Sequence, residues 1–141
     1  LGRDYVVPPL EGLWWADDHA DFVRRRKHLW HWTMMLMVPD FVDGSIYEAA
    51  VAKARKKLGE LPASLRLEQL AEGRCLQTLH VGSYDEEGPV LMWLHQEIMP
   101  AERVTFAGPH HEIYLSDPRK TPAEKLKTIL RQPVRDVTTT T

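Results

Sequence analysis

HHEIYLSDP, His110 to Pro118, sets two imidazoles, a carboxylate and a phenol beside an isoleucine and a leucine. Read as a strand, it sends alternate side chains to opposite faces, so His110, Glu112 and Tyr114 share one face and His111, Ile113 and Leu115 the other. The apolar pair makes the second face the expected core face. The first is then either a solvated strand surface or the wall of a cavity. Metal binding through His110 and Glu112 would need more donors than two neighbours supply, and the chain has no HExxH and no CxxC. No metal and no cofactor is expected.

Working outward, LEGLWWA (Leu10 to Ala16) is short and aromatic, with Pro8 and Pro9 before it and Asp17 and Asp18 after it, the pattern of a strand. A charged connection follows, in which the basic run Arg24 to Lys27 stands near Asp17, Asp18 and Asp21 and reads as a solvated loop. His28 to Phe41 is an almost unbroken apolar run, rich in tryptophan and methionine, and is expected to be a strand covered on both faces. Asp43 or Ser45 can cap a helix that Gly59 ends, with Ile46, Ala50, Ala54 and Leu58 inward and Lys53, Arg55, Lys56 and Lys57 towards solvent.

Leu65 to Gly82 then reads as two strands joined at Glu72 and Gly73. Glu86 to Met99 reads as a helix that opens with two acids and a proline and carries Val90, Leu91, Leu94 and Ile98 inside. Beyond the quoted strand, Thr121, Pro122 and Glu124 form a capping-box pattern. Leu126, Ile129 and Leu130 give the expected helix an apolar face, and Pro133 ends it. Residues 136–141 are expected to be a disordered tail. Strands in hairpins mixed with helices make an α+β fold: a mixed antiparallel sheet with helices on one face, in one domain over residues 1–135.

Composition narrows the function. Eighteen basic against twenty acidic side chains leave a net charge of −2, which gives no general reason to bind nucleic acid or an anionic membrane. No apolar run is long enough to span a bilayer. Cys75 is the one cysteine and cannot form an internal disulfide, so a reducing cytoplasm is the expected setting. Cys75 is read as a buried structural thiol, and no serine lies in a G-x-S-x-G setting. Trp14, Trp15, Trp30, Trp32 and Trp93 exceed what a core of this size uses. Beside a carboxylate they point to a cavity for flat, lipophilic, often cationic molecules, with Met34, Met35 and Met37 lending adaptability.

EGLWW, followed by HHEIYLSDPRKTPAEKLKTILRQPV, resembles the GyrI-like (gyrase-inhibitor-like) small-molecule-binding family, which is related to the ligand domains of multidrug-sensing transcription activators. The resemblance implies two βαββ modules, of the kind called SHS2, around an aromatic ligand cleft. By position the cleft carboxylate is Glu112, with Tyr114 beside it and the Trp14-Trp15 pair across from it. Trp32, Met34 and His110 complete the expected lining. Some stand-alone members are associated with hydrolysis of cyclopropane-bearing DNA-alkylating natural products, a detoxification in bacteria, and others bind drugs without chemistry. Glu112 and Tyr114 are the residues expected to act if this chain is a hydrolase. Only ten residues precede the tryptophan motif and the chain opens on Leu1, so the first module is expected to be truncated, leaving an unpaired strand edge or an open pocket wall near Leu10 to Ala16. The chain has no DNA-binding helix-turn-helix segment, and its expected partner is a lipophilic small molecule.

Overall fold

A computed structural model describes residues 2–138. The chain forms two compact units, one of residues 2–8 with 37–71 and one of residues 9–36 with those from 72 onward.

In chain order the helices are α1 His19–Val23, α2 Gly44–Leu58, α3 Glu87–Trp93 and α4 Met99–Ala101, of which only α2 belongs to the first unit. In the first unit, Asp43 caps α2 by accepting from the Ile46 N–H at 2.9 Å. Gly59, at φ 83°, ends it in a conformation that favours glycine. The lysines and Arg55 face solvent as expected, but Ala50 and Leu58 are exposed too, and the half-buried positions are Ile46, Tyr47, Val51 and Ala54. Tyr5 packs edge-on against Phe41 at 6.1 Å. The expected strand at Leu65 to Leu70 does not form. Leu65 and Leu67 alternate in sequence, yet no described strand pairs with them, and Leu65, Leu67 and Leu70 are exposed.

The second unit carries an antiparallel sheet in the order β2-β1-β5-β6-β3, with β4 joined to the far end of β6. The strands are β1 Glu11–Ala16, β2 Trp30–Met35, β3 Cys75–Val81, β4 Val104–Phe106, β5 His110–Tyr114 and β6 Lys127–Asp136. β1 is paired along both edges, Trp14 lying opposite Trp32 on one side and His110 on the other. The free edge is therefore one strand further out, at β2. That strand was expected to be covered on both faces and is not, because its edge position leaves Trp32 61% exposed and Met34 partly so.

The C-terminal helix of the sequence reading is a strand. Only one 3-10 turn, Ala123–Lys125, follows the capping pattern, and β6 then buries Thr128, Leu130, Gln132 and Val134 at a period of two, with Pro133 buried between the last two. Pro133 sits inside the strand rather than ending a helix. β5 pairs with β6 up to Arg131 and β4 takes over at Val134, so the missing N–H of Pro133 falls where the neighbour changes. The connection before β2 also has structure: Asp18 caps the short α1, and a 3-10 turn covers Lys27–Leu29. Asp136 belongs to β6 and Val137 still bonds to Arg103, while the part of the expected tail at 139–141 lies outside the described residues.

α1, α3 and α4 pack on one face of this sheet, as the fold class requires. Phe22 of α1 lies 5.4 Å from the His110 ring, and Leu91 and Leu94 are buried with Leu130 in the same layer. Met99, Val104 and Val134 close its far end, with Leu76 and Phe106 against them. The helix-covered face is the one bearing His110, Glu112 and Tyr114. The apolar face expected to be core leaves Leu115 exposed and Ile113 half-buried, since β5 alone could not reveal which face the helices would take.

Candidate functional site

Strand alternation sets Gly12 and Trp14 of β1, Trp32 and Met34 of β2, and His110, Glu112 and Tyr114 of β5 on one face. Six of the seven expected ligand-site residues are thus brought together. Trp15 is the exception: it stacks on His31 at 5.7 Å on the opposite face, whereas the Trp14 indole reaches Tyr114.

A chain of hydrogen bonds runs across the face. The Trp14 indole N–H donates to the Tyr114 hydroxyl at 2.9 Å, and that hydroxyl donates to Glu112 Oε1 at 3.1 Å. His110 Nε2–H donates to Glu112 Oε2 at 2.9 Å. Gly12 makes this packing possible, because a Cβ there would come within 2.8 Å of both Met34 Cε and Trp14 Nε1 and 3.1 Å of the Tyr114 hydroxyl. Tyr84 adds an edge-on ring 5.8 Å from Tyr114.

Sequence reasoning missed one member. Glu87 looked like an ordinary acid in a first helical turn, yet it is only 4% exposed and hydrogen-bonds to Glu112, itself 8% exposed. Two carboxyls bond only if one carries a proton. Burial first, then the charge and hydrogen bond of Glu112, hold Glu87 well above the usual carboxylate range, against the opposing pull of Arg25 and Lys27. Burial also pulls Glu112 upward, but the hydrogen bond and charge of His110 outweigh it, with help from Glu87 and Tyr114, and Glu112 lies below its ordinary value. The pair is therefore one carboxylic acid and one carboxylate. Burial and the nearby charge of Glu112 push the Tyr114 phenol upward, so it stays protonated.

Arg25 reaches this pair from the connection that was read as a solvated loop. Its guanidinium sits 5.7 Å from the centre of the Trp30 ring, and its stem lies over Gly88, where a Cβ would stand 3.3 Å from Arg25 Cδ. The signal in the sequence was a glycine directly after an acid, which lets a long side chain approach. The rest of the basic run is solvated as expected, with Arg26 paired to Asp21 and Lys27 to Asp85.

Behind His110 lies His95, pressed down to about 4 by burial and by the charge of His110. Cys75 is half-buried rather than buried, and burial together with the charge of Glu72 raises its thiol, the opposite of an activated nucleophile. Among the described residues no group of three or more histidine, cysteine or acidic side chains is placed to hold a metal ion, and no helix is long and apolar enough to cross a membrane.

The GyrI-like small molecule binding domain family matches residues 2–135. An uncharacterized conserved protein from Listeria innocua superposes at a TM-score of 0.80 with 42% identity, over 95% of this chain and 67% of its own. A hydrolase from Listeria innocua superposes at 0.73 with 41% identity, over 94% of this chain and 65% of its own. This chain thus spans about two thirds of the length of these proteins. No curated protein matches it.

Proposed function

The chain belongs to the GyrI-like small molecule binding domain family, and from that premise we propose that it binds planar, lipophilic, often cationic molecules on the Trp14-Trp32 face and hydrolyses those that carry a strained, activated cyclopropane. The observation that carries the reading is the Glu87-Glu112 pair, which holds a proton donor and a proton acceptor side by side. A pure binding surface gains nothing from a buried acid kept protonated, whereas acid-base chemistry needs one. The similarity to the Listeria innocua hydrolase supports it.

The reaction divides between the two groups. Water attacks a ring carbon of a cyclopropane fused to a conjugated dienone, and Glu112 takes the proton that the water loses as its C–O bond forms. The ring C–C bond breaks, and its electrons pass through the conjugated system to the carbonyl oxygen. Glu87 gives its proton to that oxygen, which leaves as a phenol. The proton on Glu112 returns to Glu87 along their hydrogen bond, and the net change is the addition of one water. Tyr114 has one proton, committed to Glu112, and its oxygen accepts from Trp14. Its role is to hold the base in place rather than to stabilise the oxyanion. Exposed Trp32 and adaptable Met34 bind the flat part of the substrate by stacking.

The test incubates a cyclopropane-containing DNA alkylator with the wild-type protein, Glu112→Gln and Glu87→Gln, and follows ring-opened product by mass. Either substitution should lower the rate on the order of 100-fold to 10,000-fold while tryptophan quenching still reports binding. Equal rates in all three remove the pair from the mechanism. Binding without product from the wild type leaves a non-catalytic drug-binding module of the same family.

A further inference from the structure

A cavity of about 390 Å³ opens beyond His110, between α1, the β4-β5 loop and the end of β6. Its size is within the range of small-molecule sites. Trp14, Trp15, Phe22 and Phe106 give it aromatic walls, and its polar side chains are His19, His110, Gln132 and Arg135. Two of these are almost fully buried and incompletely paired. Gln132 Nε2 donates to the Gly108 and Pro133 carbonyls at 2.9 Å each, yet its Oε1 has no partner, and neither has His110 Nδ1. Buried polar atoms left in this state cost stability unless something meets them. Arg135 stands exposed at the mouth and forms no ion pair with any described residue.

The sign of the charge separates this cavity from the face already described. No carboxylate lines it, whereas Glu87 and Glu112 dominate the other. We propose that the cavity is a second small-molecule site, selective for compact aromatic anions such as arene carboxylates or sulfonates, whose ring lies against Phe22 and Phe106 and whose anionic group meets Arg135. An N–H or O–H on the ring would complete Gln132 Oε1. His110 belongs to both sites, bonding to Glu112 through Nε2 while its ring lines the cavity, so an occupant is in direct contact with the residue that holds the base. The proposal does not depend on hydrolysis.

Calorimetric titration with naphthoate and its neutral counterpart naphthalenemethanol tests it. Wild-type protein should bind naphthoate about tenfold more tightly than the alcohol, the worth of one charge-assisted hydrogen bond at a partly wet site. Arg135→Gln should erase that preference and Arg135→Lys should retain most of it; both change an exposed side chain and should fold normally, which thermal melting checks. Trp32→Ala, on the other face, should leave naphthoate binding unchanged. The proposal is overturned by no saturable naphthoate binding, by equal affinities for acid and alcohol, or by loss of naphthoate binding in Trp32→Ala but not in Arg135→Gln.

Discussion

β5 carries two adjacent histidines, and each is buried against carboxylates on its own face of the sheet, but the two clusters are finished differently. His111 stands between Glu11, 2.7 Å from its Nε2, and Glu72, 2.8 Å from its Nδ1, and Glu72 also meets Arg131 at 3.3 Å. Each ring nitrogen thus has a carboxyl partner, and Arg131 faces one of the two acids. On the other face His110 serves Glu112 alone, Glu87 is left to keep its proton, and Glu87 Oε1 and His110 Nδ1 are buried without partners. A cluster with each ring nitrogen and each acid partnered ties β1, β5 and β6 to the segment before β3. One with protons still to trade can do chemistry.

Breaking the complete cluster should have the largest effect on folding. His111→Leu leaves Glu11 and Glu72 facing each other without their shared partner, and urea denaturation should report a loss of about 3–5 kcal/mol. The incomplete cluster should respond with the opposite sign. A carboxyl raised in the folded state contributes stability that is fully present below its ordinary value of 4.5 and is lost as the pH rises towards the raised value. Wild-type stability should therefore fall across that window, and Glu87→Gln, which cannot ionise, should flatten the fall. Near neutral pH the variant should gain on the order of 2 kcal/mol while losing activity. A steeper fall in the variant would contradict the assignment of the proton to Glu87.

The smallest effect separates Trp14 and Trp32 from Trp15, the sequence neighbour of Trp14 on the opposite face. Trp32→Ala, exposed and on the Glu112 face, should change stability by less than about 0.5 kcal/mol but weaken a planar cationic dye by about tenfold, measured by fluorescence titration. Trp15→Ala, on the His111 face, should leave dye affinity as it is, whereas Trp14→Ala should weaken it. Equal losses at Trp15 and Trp32 would mean that the ligand does not use one face.

The contrast between the faces also marks what the sequence could disclose. Period two in HHEIY grouped His110, Glu112 and Tyr114 correctly, and the caps at Asp43 and Gly59 defined α2. β6 was hidden because Thr128 and Gln132 occupy two of its buried positions. With polar residues there, the remaining Leu126, Ile129 and Leu130 mimic helical spacing. Glu87 was hidden for a related reason: a glutamate at a helix start is ordinarily wet, and only the approach of α3 to β5, twenty-five residues away in the chain, buries it. Local pattern gives the period of an element. Which of its faces becomes the interior depends on elements that the pattern does not contain.

The assignment of a neutral Glu87 beside an ionised Glu112 can be measured directly by infrared difference spectroscopy of the carboxyl groups. At neutral pH the wild-type protein should show the C=O stretch of a protonated carboxylic acid, which disappears in Glu87→Gln and persists in Glu72→Gln. Absence of that band from the wild type, or its loss in Glu72→Gln and not in Glu87→Gln, would contradict the account.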